Sequence, residues 1–371
     1  MSERNFSVRR FEKSDVGDVV KLLELVFERP FSTEWWNWKY RLNPAGFWGD
    51  KGDIWVAESA NGEIIGHWAV MPEKIKFSSK TITVAQAVDA ATHPKYRRLG
   101  INKTLVRNIF SDIQSRYGFV FSFPREIVYK MRVRQGWESF PIPEFLSFLN
   151  YDTPLRSFSN NNFVILFGKV ALKTLKIYQR GRSLFSNSFV KKRKVGPVKI
   201  QEIDHFPDET DDFWARVKSR YEMCLERTAN FLNWRFSKYF GDYRMFLARS
   251  AENGDIVGYL VLRKTRILDV RNVLDVVDFQ VLLGEDECVL NLLDTAMTIA
   301  KNERYDLVHC RVPVWHRYAA LLYKKGFFSI KHTFGLFKIY QPRIAFYRLK
   351  KEAVFPKVRR WFYTLADTDY A

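Results

Sequence analysis

The chain has 371 residues, 47% of them apolar and 27% charged, a composition that builds a folded core rather than a disordered chain. Its 60 Lys and Arg against 41 Asp and Glu leave a net charge of +19, which points to a polyanion: nucleic acid, an anionic membrane face or a phosphate-bearing cofactor. Three cysteines, Cys224, Cys288 and Cys310, have no C-x-x-C spacing and no neighbouring His pair, which excludes a zinc ribbon or a disulfide framework and predicts a reducing, cytoplasmic compartment without a metal. No apolar run reaches bilayer length, and the first residues have no apolar signal core.

In chain order, Val19, Leu22, Leu23 and Val26 recur at helical spacing, with Ser14 and Asp15 placed to cap them. Trp35, Trp38 and Leu42 also fall at helical spacing, a core reading for that cluster. Residues 54–57 and 64–70 are apolar runs flanking Asn61-Gly62, a hairpin signal. A strand at 81–91, a helix at 101–117, a strand at 119–123 and a helix at 127–134 follow, the last ending at Gly136. The pattern then repeats. Asn37-Trp38-Lys39-Tyr40 returns as Asn233-Trp234-Arg235-Phe236, the Asn-Gly hairpin returns at Asn253-Gly254, and Gly136-Trp137 returns as Gly326-Phe327. Three features in one order at nearly constant spacing predict a tandem duplication. Each copy reads as α/β (α+β), with a mixed, mostly antiparallel sheet flanked by helices.

The charge is uneven. Residues 151–200 hold eleven Lys and Arg against one Asp, whereas residues 201–340 hold 20 of each sign. This shift predicts an N-terminal domain at 1–152, a basic amphipathic helical connector at 153–196, a C-terminal domain at 197–340 and a basic aromatic tail at 341–371. In the connector, Lys169, Lys173, Lys176 and Arg180 share a helix face, and Lys191-Lys192-Arg193-Lys194 follows. Two readings stand: an apolar face on the protein with lysines in water, or contact of 163–194 with an anionic membrane.

The stretch from Asp89 to Lys103 carries chemistry. A strand ends near Thr92, Pro94 breaks it, and a basic loop enters a helix at Gly100 or Ile101. Successive backbone N–H groups, the helix dipole, Arg97, Arg98 and Lys103 make an anion site or a basic turn. The string Arg97-Arg98-Leu99-Gly100-Ile101-Asn102 resembles the Arg/Gln-x-x-Gly-x-Gly/Ala loop of the GCN5-related N-acetyltransferases. His93-Pro94-Lys95-Tyr96-Arg97, the terminal Gly136-Trp137 and the element order over 5–150 extend the resemblance, most closely to tandem members found in surface-polysaccharide pathways. Asn102 departs from the pattern.

That resemblance implies an acyl-CoA-dependent N-acyltransferase, most simply an N-acetyltransferase. Its acceptor would be an amine, with an amino sugar of a surface glycan among those implied. It implies acetyl-CoA bound by Ala91, Thr92, Arg97, Arg98, Leu99, Gly100, Ile101, Asn102 and Lys103. Asp89 is then either a general base, directly or through water, or a carboxylate bonded to a neighbour. Tyr129 is either the acid or a packing residue, since Arg132 stands where many members have Tyr. Trp36, which the repeat replaces by Leu232, and His67 are candidates for acceptor contact. His93 either titrates or shapes the turn. The second copy has Leu283-Gly284-Glu285-Asp286-Glu287 at the loop position, acidic and repulsive to pyrophosphate, so the C-terminal copy is expected to lack coenzyme A binding. The alternatives are an aminoacyl-tRNA-dependent transferase of similar tandem fold and a non-enzymatic membrane- or nucleic-acid-binding protein. The loop favours the enzyme, with no nucleic acid partner.

Overall fold

The computed structural model describes residues 6–47, 49–156, 159–186, 196–236, 241–267, 270–282, 284–330, 342–350 and 360–368. By its internal contacts the chain forms two units, Met1–Phe140 with Ile344–Pro356, and Pro141–Arg343 with Lys357–Ala371.

The first unit opens with β1 (Phe6–Arg10), α1 (Val16–Phe27) and α2 (Thr33–Trp36), which runs into a π-helical turn at Asn37–Arg41. The long strands β2 (Ile54–Ser59), β3 (Ile64–Phe77) and β4 (Lys80–Thr92) follow, then α3 (Ile101–Ile113), β5 (Phe119–Ser122), α4 (Glu126–Arg134) and β6 (Glu138–Pro141). The element order is the one the periodicity predicts. Gly62 and Gly136 take positive φ values of 81° and 86°, as the hairpin and the helix end require. Strands β1 to β4 pair antiparallel in sequence order, and β5 joins β4 in parallel. Helix α3 packs Ile101, Leu105, Ile109 and Ile113 onto the sheet core with Trp68, Val70 and Trp137.

The second unit holds β7 (Glu144–Phe148), α5 (Asp152–Arg156), α6 (Asn162–Ser186), β8 (Val198–Ile203), α7 (Thr210–Val217), β9 (Met223–Leu225) and α8 (Ala229–Arg235). The strands β10 (Tyr243–Ser250), β11 (Ile256–Ile267) and β12 (Val270–Val281) repeat the central meander. Then come α9 (Asp286–Asn302), β13 (Leu307–Cys310), α10 (Arg317–Lys324) and β14 (Phe328–Ile330). Strand β15 (Arg343–Arg348) follows in the chain and returns to the first unit's sheet. The second unit's sheet order is β14-β7-β13-β12-β11-β10-β8.

Strand membership departs from the sequence boundaries at 152 and 341. Strand β7, placed by sequence in the N-terminal domain, pairs with β13 and β14 of the second sheet. Strand β15, placed in the tail, pairs with β5 of the first. Residues 360–368 are largely buried in the second unit. The exchange follows from ladder satisfaction. A strand edge is completed by whichever partner its long-range packing delivers, and hydrophobic pattern does not name that partner.

The connector helix is apolar on two sides. Helix α6 buries Ile165 and the Gly168 side of its surface, but Phe163, Leu166, Phe167, Val170, Ile177 and Tyr178 are exposed. Lys191 to Lys194 lie outside the described residues.

A buried charge chain holds β7 in its sheet. His309 on β13 contacts Asp275 on β12 through Nδ1 at 2.8 Å and Glu144 on β7 through Nε2, and Arg311 donates to Glu144 at 2.6 Å. Burial alone would lower the His309 pKa, but the Glu144 charge and hydrogen bonds to both carboxylates outweigh it and push it up to about 9. Burial likewise opposes ionisation of Glu144, yet Arg311 and His309 hold its carboxyl down at about 2. The sign follows directly. A histidine raised on folding stabilises fully below its unfolded value near 6.5, and that contribution is lost as pH rises through about 9. Melting of the wild type is therefore expected to fall between pH 7 and 10 by more than that of His309→Gln, which lacks the titrating ring. Parallel pH profiles of the two would show the mechanism wrong.

Candidate active site

The site is built on one strand leaving another. Strand β4 pairs with β5 only at Ala85↔Val120 and Gln86↔Phe121, yet it runs on to Thr92. On its other edge it stays paired to β3 as far as Gly66↔Thr92, with a bulge where His67/Ala69 face Ala91/Val88. Asp89 sits in this bulge with φ +47°, a left-handed conformation that Asp tolerates better than most residues. The far edge of residues 87–92 thus presents backbone groups without a β5 partner.

The bulge is fixed by buried side chains. Lys39 Nζ lies 3.0 and 2.8 Å from the two Asp89 carboxylate oxygens, and Tyr40 donates to Asp89 Oδ2 at 2.5 Å. Lys39 is 1% exposed. Burial raises the Asp89 pKa, but the Lys39 charge and the two hydrogen bonds overcome it, so the carboxyl is held below its usual range. His67, fully buried, contacts the Asp89 carbonyl oxygen through Nδ1 at 2.8 Å. Its Nε2 is buried without a hydrogen-bond partner. Desolvation lowers the His67 pKa, so the ring stays neutral and Nδ1 donates.

Beyond Thr92 the chain makes the predicted basic turn. His93 Nδ1 accepts from Lys95 N at 3.3 Å and its ring packs edge-on against Tyr96, so His93 shapes the turn. Arg98 and Gly100 both take positive φ, 69° and 81°, curling the chain into α3. The first-turn N–H groups of α3 have no intrahelical acceptor. A Cβ on Gly66 would sit 2.6 Å from Ile101 Cγ2 and 2.9 Å from Ala57 Cβ, so only glycine lets α3 seat this close to the sheet. A cavity of about 410 Å³ lies at this point, lined by Thr92, Tyr96, Arg97, Arg98, Gly100, Ile101, Asn102, Lys103, Met131 and Gln135. Three cations and no carboxylate line it. Arg97, Arg98 and Gly100 are exposed, so the loop's cations face solvent.

Seven of the nine residues expected around the cofactor meet here. Ala91, buried in β4, and Leu99, exposed on the loop, are not in the lining. Tyr96, Met131 and Gln135 were missed. Met131 on α4 and Gln135 at its C-terminal cap are four residues apart, about one helical turn, and that spacing was the available signal. Tyr129, half-buried on the same helix, is two residues from Met131 and therefore on a different face. Arg132 lies over the Trp137 ring at 4.2 Å, filling the place where a Tyr was sought. Trp36 is a correction: it is 0% exposed and stacks on Phe11 at 5.1 Å, so it is core and not an acceptor contact. Its place opposite Leu232 of the repeat marks two apolar core positions rather than a specialised one. Lys39 and Tyr40 were also missed as partners of Asp89, because pairing across fifty residues leaves no local trace.

The second unit carries the same frame differently filled. Gly258 faces Val281 as Gly66 faces Thr92, and Asp278 lies three residues before Val281 as Asp89 lies before Thr92. Strand β12 pairs with β13 only up to Val276 and then runs on paired to β11 alone. Here protein fills the gap. Tyr318 accepts from Val281 N at 3.1 Å, and Arg220 donates to the Val281 carbonyl. Arg227 joins Asp278 and Asp367, each at 2.7 Å, and Thr364 donates to Asp278 at 2.9 Å. Phe362 stacks on Tyr221 at 4.4 Å. Arg235, the repeat counterpart of Lys39, holds the carbonyls of Ala366 and Thr368 instead of an aspartate.

Replacing Lys39→Met strands the Asp89 charge in the core and is expected to cost roughly 3–5 kcal/mol in denaturant unfolding. Adding Asp89→Asn should recover part of that loss, since no charge is then left unpaired. Unchanged stability in the single variant would show that the pair does not hold the bulge.

Comparison with known proteins agrees with this geometry. Residues 7–140 match the acetyltransferase (GNAT) domain. No curated protein matches the sequence. Among solved structures, a probable N-acyltransferase from Enterococcus faecalis V583 is similar at a TM-score of 0.60 and 12% identity, over 93% of this chain and 73% of that one. A GCN5-related N-acetyltransferase from Anabaena variabilis gives 0.57 at 12% identity, over 93% and 73%. Saccharomyces cerevisiae N-myristoyltransferase with bound myristoyl-CoA gives 0.54 at 12% identity, over 94% and 82%. At these identities the structures share the fold: two α/β acyltransferase-like units in tandem.

Proposed function

We propose that the chain is an acyl-CoA-dependent N-acyltransferase, since residues 7–140 match the acetyltransferase (GNAT) domain. The acyl group proposed is acetyl, and the acceptor is an amine, with an amino sugar of a surface glycan as the first class to test. The observation that carries the reading is the cationic cavity at the N-terminus of α3, beside the unpaired edge of β4.

The residues present fit acyl-CoA. Arg97, Arg98, Lys103 and the first-turn N–H groups of α3 suit a pyrophosphate, through charge-assisted bonds and the helix dipole. The far edge of residues 87–92 suits an extended, amide-containing arm, which would complete the ladder that β5 abandons. Bound there, acyl-CoA supplies a thioester carbonyl open to attack by an amine. The chain's part is to orient the two reactants and to shield them from water. Asp89 is proposed as a positioning residue: both its oxygens are occupied and its pKa is depressed, which makes a poor proton acceptor. His67 holds the bulge through the Asp89 carbonyl. Buried Cys224, Cys288 and Cys310, all free thiols, fit a reducing cytoplasm.

In the second unit, side chains already occupy the corresponding backbone, so we propose one acyl-CoA site per chain. Titration calorimetry with acetyl-CoA should give a stoichiometry near one. Acetyl-CoA should also raise the melting temperature. Replacing Arg97→Ala with Arg98→Ala should weaken binding by about 10- to 100-fold, the loss of one or two charged hydrogen bonds. Thiol release assayed over a panel of amines and acyl lengths, with myristoyl-CoA included, would identify the pair. No thermal shift at millimolar acetyl-CoA, with no effect of the double substitution, would overturn the proposal.

A further inference from the structure

Helix α6 presents a surface that the acyl-transfer site does not explain. One side of it is seated on the second unit. Ile165 is buried, Leu172 packs against the cluster of Leu146, Val270, Val273, Leu307 and Phe328, and Gly168 lies so close to Leu155 that a Cβ would sit 2.9 Å from its Cδ2. The other side is apolar and open. Phe163 is 78% exposed, Phe167 63% and Ile177 71%, with Leu166, Val170 and Tyr178 between them also exposed.

At about 100° per residue these six positions and Thr174 fall within one arc of about 120°. Within this arc the Thr174 hydroxyl donates to the Val170 carbonyl at 2.9 Å, so it offers water little. Six large apolar side chains exposed along one helix face exceed the scattered single residues of an ordinary surface.

Charge identifies the occupant. Lys169 and Lys173 lie on the flank between the open arc and the seated side; Lys169 pairs with Asp152 at 2.7 Å, while Lys173 is exposed, its ammonium 5.8 Å from the centre of the Tyr151 ring. Across residues 153–200 there are eleven Lys and Arg and no Asp or Glu, including Lys191 to Lys194. Two copies of this face against one another would set cation against cation, which disfavours a dimer. A strong one-sided positive charge around an apolar stripe matches an anionic lipid surface, whose headgroups take the cations and whose acyl boundary takes the side chains. Helix α6 does not qualify as a bilayer-crossing helix, and none of the described residues form one.

We propose that α6 lies in the plane of an anionic membrane, its arc from Phe163 to Tyr178 immersed at the headgroup boundary, and docks the chain there. This is independent of the acyl-transfer reading and is tested without any acyl donor. The full chain should co-sediment with vesicles containing 30% phosphatidylglycerol in phosphatidylcholine at low salt, and weakly with phosphatidylcholine alone. Phe167→Ser with Ile177→Ser, both at exposed positions, should weaken binding by about tenfold or more. Lys173→Gln should weaken it by about fivefold, the equivalent of about 1 kcal/mol per surface cation. Ile177→Cys carrying an environment-sensitive fluorophore should shift to the blue on the anionic vesicles, whereas Leu42→Cys, 65% exposed in the first unit, should not. Absence of binding, equal binding to neutral vesicles, no shift at position 177, or a dimer in sedimentation that the serine substitutions abolish would each overturn the proposal.

Discussion

The central strand of each unit outruns its parallel neighbour, and the fate of that unpaired edge organises the protein. Backbone N–H and C=O groups inside a fold need partners, and a strand that loses its neighbour must find them elsewhere. In the second unit they come from within: Tyr318 and Arg220 take both backbone groups of Val281, and Thr364 reaches Asp278. In the first unit β4 leaves β5 after Gln86, and a cationic cavity opens beside its end at Thr92. One frame therefore serves as a closed structural unit and as an open site.

Each frame is pinned by a buried aspartate with a different cation. Asp89 takes Lys39 from the turn after α2, while Asp278 takes Arg227 from the segment before α8. Arg235, at the position equivalent to Lys39, is thereby released to bind the carbonyls of Ala366 and Thr368. Arg227 also carries Asp367, whose pKa burial raises despite that charge. The duplication kept the scaffold and reassigned its charges. A lone buried charge would be too costly in either copy, so the aspartate is paired in both, by a cation from a different position in each.

The net charge divides by place. The second copy is neutral over 201–340, the three cavity cations belong to the loop before α3 and its first turn, and the largest excess belongs to α6 and the segment after it. A basic pI alone suggested a polyanion. Its location on a helix with an open apolar arc suggests a surface instead of a groove.

Sequence alone determined the elements, the duplication and the basic loop before α3. These are local matters: helical spacing from Val16 to Phe27, Gly62 and Gly136 at left-handed positions, and the Arg97-to-Gly100 turn into α3 are each set within a few residues. Tertiary structure decided what is paired over distance. It put β7 and β15 in the sheets opposite to their sequence neighbourhoods, gave Asp89 to Lys39 and Tyr40, buried Trp36, and left one of two apolar sides of α6 exposed. Pattern records which residues avoid water. Which apolar face meets which, and which charge meets which, depends on contacts fifty or more residues apart, and these leave no periodic trace in the chain.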